Sequence, residues 1–235
     1  MVQKEHFLEQ HDPERKDFQI DRIILFSDAV FAIAITLLII EIKVPEIHEH
    51  SSNAAILQGL YNLTPKFIGF IISFFVIAVF WRSHHRVFGF VNQYSEKLIW
   101  LNIFFLFSIV LMPFSSAYYS EYSGLNIPYY FYNCNIILTG IFNYRLISVV
   151  FNPKNKLITH YPSQQYLHTF KTRAIITPLV FLAGIIACPF WPLLSRFAFM
   201  FTWPSFFIAE RYFKYKYRNE PMPTHTTKHK KTLPK

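Results

Sequence analysis

Six long apolar runs divide this 235-residue chain, and each reaches or approaches the ~20 residues that a helix needs to cross a bilayer. Because lipid cannot satisfy backbone amides and carbonyls, runs of this length are expected to be helical. Charged residues make up only 16% of the chain, against roughly 25% in soluble domains. The sequence therefore predicts an all-α membrane protein with six transmembrane helices per subunit, at Arg22–Val44, Leu60–Trp81, Leu98–Tyr118, Pro128–Val150, Ala174–Phe190 and Leu193–Phe213.

The polar segments outside these runs divide the chain into three parts. Residues 1–21 carry charges of both signs without a cleavable signal pattern, and they are predicted to form a cytoplasmic N-terminal segment. Residues 22–213 hold the six spans. Residues 214–235 form a basic tail rich in Pro, Thr and Lys, which is expected to be disordered and cytoplasmic. Asn53–Leu63, before the second span, is predicted to be a short interfacial helix.

Lysine and arginine are distributed unevenly among the connecting segments. If both termini are cytoplasmic, 20 of the 23 basic residues fall on the cytoplasmic side, and the exceptions are Lys43, Lys66 and Arg196. Cytoplasmic loops of membrane proteins carry this excess of positive charge. The distribution predicts a multi-pass protein of the cell (plasma) membrane with both termini in the cytoplasm. It also accounts for the net charge of +9, so nucleic acid is not an expected partner.

An acidic residue, Asp28, stands near the start of the first apolar run, in the segment FSDAVFAIAITLLII. An unpaired carboxylate within a span costs roughly 2.5 kcal/mol or more, so Asp28 is expected to have a donor. The residues available as donors at the same depth are Arg22, Arg82, His84, His85, Arg86 and Asn102. Such a cluster fits either a clamp between helices or a proton relay. Adjacent histidines point in different directions, so a metal site is not expected.

The apolar residues of the first span form a stripe when they are placed on a helical wheel. With 100° per residue, Phe26, Ile33, Leu37 and Ile40 lie on one side, with Thr36 at the margin of the stripe. Asp28 lies about 140° from Ile33 and faces other helices. Most apolar stripes on spanning helices pack against lipid or neighbouring helices. The wheel therefore defines a face without assigning its role.

The segment from Arg22 to Asp28 reads RxxxFSD, and it is followed by AVFAIAITLLIIEIKVP. This sequence resembles the signature of the transmembrane protein 175 family, the endosomal/lysosomal potassium channels and their prokaryotic relatives. FWRSHHRVF in the second span and WLNIFFLFSIVLMPFSS in the third are similar to the same family. The resemblance is close over the first half of the chain. FSD occurs once, whereas animal members carry two repeats, so the chain resembles a prokaryotic single-repeat member.

The resemblance implies a potassium channel that conducts passively and is less permeable to Na⁺. It implies a homotetramer in which the first helix of each subunit lines a central pore without a TVGYG filter, since one lining helix cannot enclose a pore. Ile33, Leu37 and Ile40 would form aliphatic constriction rings that act as a hydrophobic gate, and Thr36 would be the polar lining position. A structural network behind the pore would contain Arg22, Phe26, Ser27, Asp28, Asn102 and either His84 or His85.

Two other function classes are considered beside the channel. A proton-coupled cation transporter or exchanger would use Asp28 with His84 or His85, although the sequence shows no inverted repeat of the kind common in such transporters. A membrane enzyme would need a catalytic motif, but HExxH, GxSxG and paired carboxylates do not occur. No catalytic residue, cofactor or resident metal is therefore expected.

Overall fold

The computed structural model describes residues 16–45 and 52–218, and within them the chain is helical with no β-sheet. Residues 1–15 and 219–235, which include most of the predicted N-terminal segment and of the predicted disordered tail, lie outside the described residues. Two short 3-10 helices occupy Pro153–Asn155 and Ala198–Phe201. The α-helices are α1 (Lys16–Ile40), α2 (Asn53–Asn62), α3 (Thr64–Phe88), α4 (Glu96–Val110), α5 (Met112–Glu121), α6 (Asn126–Val150), α7 (Gln164–Ala187), α8 (Pro192–Arg196) and α9 (Thr202–Lys216).

Four helical segments in the described part of the chain are long and apolar enough to cross a membrane. They confirm the prediction of an all-helical membrane protein, and they overlap the first, second, third and fifth predicted spans. The helix that corresponds to the fifth predicted span, α7, begins ten residues earlier than predicted. Ser163 accepts a hydrogen bond from the backbone N–H of Tyr166 and caps the helix before its apolar part. The four segments are Phe18–Ile40, Thr64–Phe88, Glu96–Glu121 and Gln164–Ala187.

The predicted sixth span, Leu193–Phe213, is not a single helix. It is divided into α8, the 3-10 helix Ala198–Phe201 and α9. Pro192 lies in the first turn of α8, and Pro204 lies in the first turn of α9. Proline has no backbone N–H to donate, so it fits best in the first turn of a helix, where that N–H has no partner within the helix. The apolar run is therefore broken into short helical pieces.

The predicted fourth span corresponds to α6, a 25-residue helix. Its buried side chains include three asparagines, Asn133, Asn135 and Asn143, and it is not among the four segments that satisfy the length and hydropathy criteria. Gly140 of α6 faces the proline inside α7, where an added Cβ would lie 2.8 Å from Cδ of Pro178. The absence of a side chain at this position permits the close packing of α6 on α7.

Helix α1 lies at one side of the bundle, where it packs on α3, α4 and α5. Helix α6 packs on α4, α5 and α7, and α7 in turn packs on α8 and α9. The side chains with which α1 enters the core recur at helical spacing. They are Ile20, Ser27, Phe31, Ala34 and Leu38.

Candidate functional site on the first helix

Helix α1 has one face covered by the subunit and one face left uncovered. Phe31, Ala34 and Leu38 are buried against α3, α4 and α5. The stripe predicted from the helical wheel lies on the other side, where the exposed fractions are 59% for Phe26, 58% for Ile33, 38% for Leu37 and 67% for Ile40. The structure thus places all four predicted apolar residues on the face of α1 that the subunit itself does not cover.

Thr36 lies closer to the middle of the uncovered face than the sequence-based wheel indicated. The buried residues of α1 centre about 135° from Ile33, so the opposite direction falls between Ile33 and Thr36, which are about 60° apart. The Thr36 hydroxyl donates to the backbone carbonyl of Ile33 at 2.9 Å. Its oxygen lone pairs remain available to a partner on the exposed side.

Behind this face, three buried polar side chains link α1, α4 and α3 in one chain of hydrogen bonds. Ser27 Oγ donates to the carbonyl of Ile23 at 2.8 Å and accepts from Asn102 Nδ2 at 2.9 Å. Asn102 Oδ1 lies 2.9 Å from His84 Nε2. Because the amide oxygen can only accept, the His84 proton resides on Nε2. We call Ser27, Asn102 and His84 the polar clamp.

Aromatic rings surround the histidine of the polar clamp. The His84 ring centroid lies 4.3 Å from that of Phe88, 5.7 Å from that of Phe31 and 5.8 Å from that of Phe105. Among the described residues, His84 Nδ1 has no hydrogen-bond partner. The structure distinguishes the two candidate histidines, since His85 is exposed and stacks on Trp81 instead.

Asp28 has a donor that the sequence reasoning missed. The indole Nε1 of Trp81 donates to Asp28 Oδ1 at 2.9 Å. Within residues 16–45 and 52–218, the structure contains no ion pair that includes Asp28. The predicted donor Arg22 lies instead over the ring of Phe18, 5.9 Å from its centroid. Trp81 belongs to the FWRSHHRVF segment, and its indole N–H can only donate a hydrogen bond. This property could have identified Trp81 as a candidate donor to Asp28.

The Asp28–Trp81 pair and the polar clamp are separate hydrogen-bonded groups. Asp28 is bonded to Trp81, and His84 is bonded to Asn102. Of the remaining predicted donors, Arg82 and Arg86 line a pocket between α3 and α7. The sequence placed all these groups in one cluster. The structure divides them among the Asp28–Trp81 pair, the polar clamp and this pocket, with Arg22 apart from all three.

The three basic residues that were exceptions to the charge asymmetry lie at one end of the bundle. Lys66 pairs with Glu121, and Arg196 Nη2 donates to the carbonyl of Gly124 at 3.1 Å. Lys43 lines a cavity together with Lys66 and Glu121. The exceptions are therefore grouped in space, at the end of the helices opposite to Arg82 and Arg86.

Comparison with known proteins agrees with the motif in the first span. Residues 22–113 match the sequence model of the endosomal/lysosomal potassium channel TMEM175. A potassium channel of Chamaesiphon minutus is 41% identical over 101 residues, which is 43% of this chain and 49% of the relative. A potassium channel of a Chryseobacterium species is 28% identical over 179 residues, 74% of this chain and 85% of the relative. The first match thus spans about half of the relative's length.

The likeness in fold extends beyond the matched sequence. The crystal structure of a lysosomal potassium-selective channel TMEM175 homologue from Chamaesiphon minutus superposes with a TM-score of 0.63 and 26% identity, covering 84% of this chain and 97% of that one. The names of these relatives are those of channels, in agreement with the prediction that the chain is not an enzyme. The resemblance drawn from the RxxxFSD segment is confirmed: by its sequence over residues 22–113 and by its fold, this chain is similar to the TMEM175 channels.

Proposed function

We propose that the chain forms a potassium-permeable cation channel in which α1 lines a central pore. The observation that carries the proposal is the uncovered face of α1, which is apolar apart from one hydroxyl and lies opposite the buried polar clamp. Potassium channels among the relatives favour a pore over lipid as the environment of this face. One lining helix cannot enclose a pore, so several subunits surround it with the closed rotational symmetry usual in homo-oligomers. The family resemblance implies four, and we therefore propose a homotetramer.

Rings of Ile33, Leu37 and Ile40 side chains form the constriction in this arrangement. Potassium finds no oxygen ligands at an aliphatic ring, so it passes with most of its hydration shell. A narrow apolar ring loses its water and blocks conduction, whereas a slightly wider ring conducts. The same residues therefore act as a hydrophobic gate and as a modest filter that favours K⁺ over Na⁺, because K⁺ loses water more easily.

Thr36 supplies the oxygen atoms that the aliphatic rings lack. Its hydroxyl proton is directed to the carbonyl of Ile33, which leaves the oxygen lone pairs on the exposed side of α1. Four copies around an axis present a ring of acceptors between the levels of Ile33 and Ile40. A partly dehydrated cation is stabilised there.

The polar clamp holds α1 from behind in this mechanism. Ser27 is tied to Asn102 of α4, and Asn102 is tied to His84 of α3. Wetting of an apolar constriction depends on its radius, and that radius depends on how firmly α1 is held. The structural network consists of the clamp and the Asp28–Trp81 pair, while Arg22 and Phe26 lie on the exposed side of α1.

The proposed channel resides in the plasma membrane with both termini in the cytoplasm. Support comes from Arg82, Arg86 and Arg173, which lie together at the end of the bundle that this orientation assigns to the cytoplasm. The channel domain keeps the boundaries 22–213 proposed from the sequence, and α1 and α9 continue it by a few residues at each end. Residues 1–21 and 214–235 are the cytoplasmic N-terminal segment and the tail.

Flux through purified protein in liposomes tests this proposal. Potassium is expected to run down its gradient without an energy source, and Ile33→Asn is expected to raise flux or reduce the preference for K⁺ over Na⁺. The matched control is Ile39→Asn, which changes an exposed isoleucine of the same helix about 120° away from Ile33. Flux that is insensitive to substitution at Ile33, Leu37 and Ile40 would show that this face does not line the pore.

A reversal-potential measurement separates the channel from the proton-coupled transporter. Planar bilayers with potassium on one side and sodium on the other give a current and a reversal potential if the protein is a channel. Accumulation of potassium against its gradient, driven by protons, would instead favour the transporter. The separation of Asp28 from the His84 hydrogen bonds supports the channel.

A further inference from the structure

Three arginines converge between α3 and α7, in a pocket that the proposed pore does not use. Arg82 and Arg86 are one turn apart on α3, and Arg173 lies on α7. All three line a single pocket of about 80 Å³, together with Ser83 and Asn143. Guanidinium groups brought together in this way at a membrane interface favour an anionic partner, and arginine is suited to phosphate.

Only part of this positive charge is balanced within the described chain. Arg173 pairs with Glu210 of α9, and its guanidinium carbon lies 5.8 Å from the ring centroid of Phe206. Arg173 Nε is nevertheless buried and without a hydrogen-bond partner among the residues described. Neither Arg82 nor Arg86 takes part in the two ion pairs found in residues 16–45 and 52–218. Three positive charges thus face one carboxylate.

The uncharged polar groups of the pocket also favour an acceptor. Ser83 Oγ donates to Asn143 Oδ1 at 2.9 Å, so the amide oxygen of Asn143 is occupied. Asn143 lines the pocket, and its amide nitrogen carries two N–H donors. Guanidinium and amide donors together fit a phosphate, which offers several strong acceptor oxygens and which arginine binds through paired hydrogen bonds.

An apolar groove of about 310 Å³ continues from the arginine pocket along α3. Val79, Thr177, Trp203 and Phe206 line both the pocket and the groove. The groove extends along α3 to Ile71, which is eight residues or about 12 Å from Val79 at 1.5 Å per residue. A ligand that occupies both sites has an anionic head and an apolar chain.

We propose that the arginine pocket and its groove bind an anionic phospholipid. The phosphate lies against Arg82, Arg86 and Arg173, and one acyl chain lies in the groove between α3 and the α7–α9 segment. Basic pockets between transmembrane helices on the cytoplasmic side recognise such head groups, and the proposed orientation turns this pocket to the cytoplasmic leaflet. The lipid site does not depend on ion conduction, so it can be tested separately from the proposed pore.

Lipid titration followed by native mass spectrometry tests the head-group site. The probes are phosphatidylglycerol and phosphatidylcholine with identical acyl chains, added to the purified full-length protein. The double variant Arg82→Gln/Arg86→Gln is expected to bind phosphatidylglycerol about thirtyfold more weakly, at about 1 kcal/mol per arginine, and to bind phosphatidylcholine as before. The control Arg145→Gln removes an exposed arginine of α6 that does not line the pocket, and it is expected to leave both lipids unaffected.

The groove is tested with Val79→Trp, which fills the wall shared by pocket and groove while all three arginines remain. Phosphatidylglycerol binding is expected to fall, and millimolar inorganic phosphate is not expected to displace the lipid from the unchanged protein. Displacement by phosphate, together with normal lipid binding by Val79→Trp, would identify a phosphate site and overturn the lipid proposal. An equal loss of binding free energy per removed charge in Arg145→Gln and the double variant would overturn it as well, since binding would then follow surface charge alone.

Helical content and melting temperature of each variant show whether it is folded. If Val79→Trp does not fold, the comparison of the double variant with Arg145→Gln, each with both lipids, decides the proposal. If the unchanged protein binds phosphatidylglycerol and phosphatidylcholine equally well, the proposal of an anionic-lipid site is contradicted.

Discussion

The polar clamp and helix α6 bury polar side chains in different ways. In the first half, the polar clamp is a short chain of three residues that lies among the rings of Phe31, Phe88 and Phe105. In the second half, polar residues recur along the whole length of one helix, α6, and are separately hydrogen-bonded. They include Asn133, Asn135, Thr139 and Asn143.

Helix α6 uses several of these polar groups to attach the second half to the first. The hydroxyl of Tyr132 lies 2.8 Å from that of Ser73 on α3. The side chain of Asn135 is hydrogen-bonded to Ser115 of α5. The family match ends at residue 113, while the likeness in fold covers 84% of the chain. The second half is thus attached to the first through polar contacts of α6 with α3 and α5.

The largest difference in the free energy of unfolding is expected between the substitution of a buried phenylalanine in the first half and the substitution of an exposed phenylalanine in the second half. Phe31 is 1% exposed, and Phe207 of α9 is 62% exposed. Phe31→Ala removes a ring from the core and is expected to lower the free energy of unfolding by about 3–5 kcal/mol. Phe207→Ala is expected to change it by less than about 0.5 kcal/mol. Denaturant unfolding in detergent measures both free energies. Similar losses for the two variants would mean that the buried ring of Phe31 contributes no more to stability than the exposed ring of Phe207.

A second variant tests the close approach of helices within the second half. Gly140→Ala places a Cβ 2.8 Å from Pro178 Cδ, so α6 and α7 must move apart, at an expected cost of about 1–3 kcal/mol. Gly124→Ala is the matched control, because nothing lies within 4 Å of its added Cβ. Thermal melting compares the two. Equal melting temperatures would show that α6 and α7 separate without loss.

The polar clamp is compared with a single bond between the halves in a third test. Asn102→Ala breaks two hydrogen bonds of the clamp, with an expected loss in the free energy of unfolding of about 1.2 kcal/mol at about 0.6 kcal/mol per bond. Ser83→Ala breaks one bond, to Asn143 of α6, with an expected loss of about 0.6 kcal/mol, since interhelical bonds in membrane proteins are individually weak. Asn102→Ala is also expected to alter potassium flux. Altered flux in Ser83→Ala alone would instead assign the pore support to α6.

The smallest difference in stability is expected between variants of the two exposed ion pairs, of which one lies in each half. Glu121 pairs with Lys66 in the first half, and Glu210 pairs with Arg173 in the second, with 55% and 59% of the glutamate side chains exposed. Glu121→Gln and Glu210→Gln are each expected to cost less than about 1 kcal/mol. Melting at low and high ionic strength checks this, because salt screens exposed charges. A loss that persists at high salt would mean that the pair is effectively buried.

The sequence predicts the site on α1 more fully than it predicts the partners of that site. The stripe of Phe26, Ile33, Leu37 and Ile40 follows from the helical repeat, and the structure finds it on the uncovered face. The donor to Asp28 did not follow, because the spacing of residues along α1 does not show how α3 is rotated beside it. His84 and His85 are adjacent, so only packing distinguishes the buried ring from the exposed one.

What the sequence by itself determined is the class of the protein, the directions in which side chains leave α1, and the family likeness over the first half. The length of the apolar runs, the helical period and the RxxxFSD segment are local properties of the sequence, so they can be recognised without coordinates. The tertiary structure alone decided that Trp81 donates to Asp28, that the last apolar run is broken, and that three arginines share one pocket. These features depend on contacts between residues far apart in the chain, which set the rotation of each helix against its neighbours.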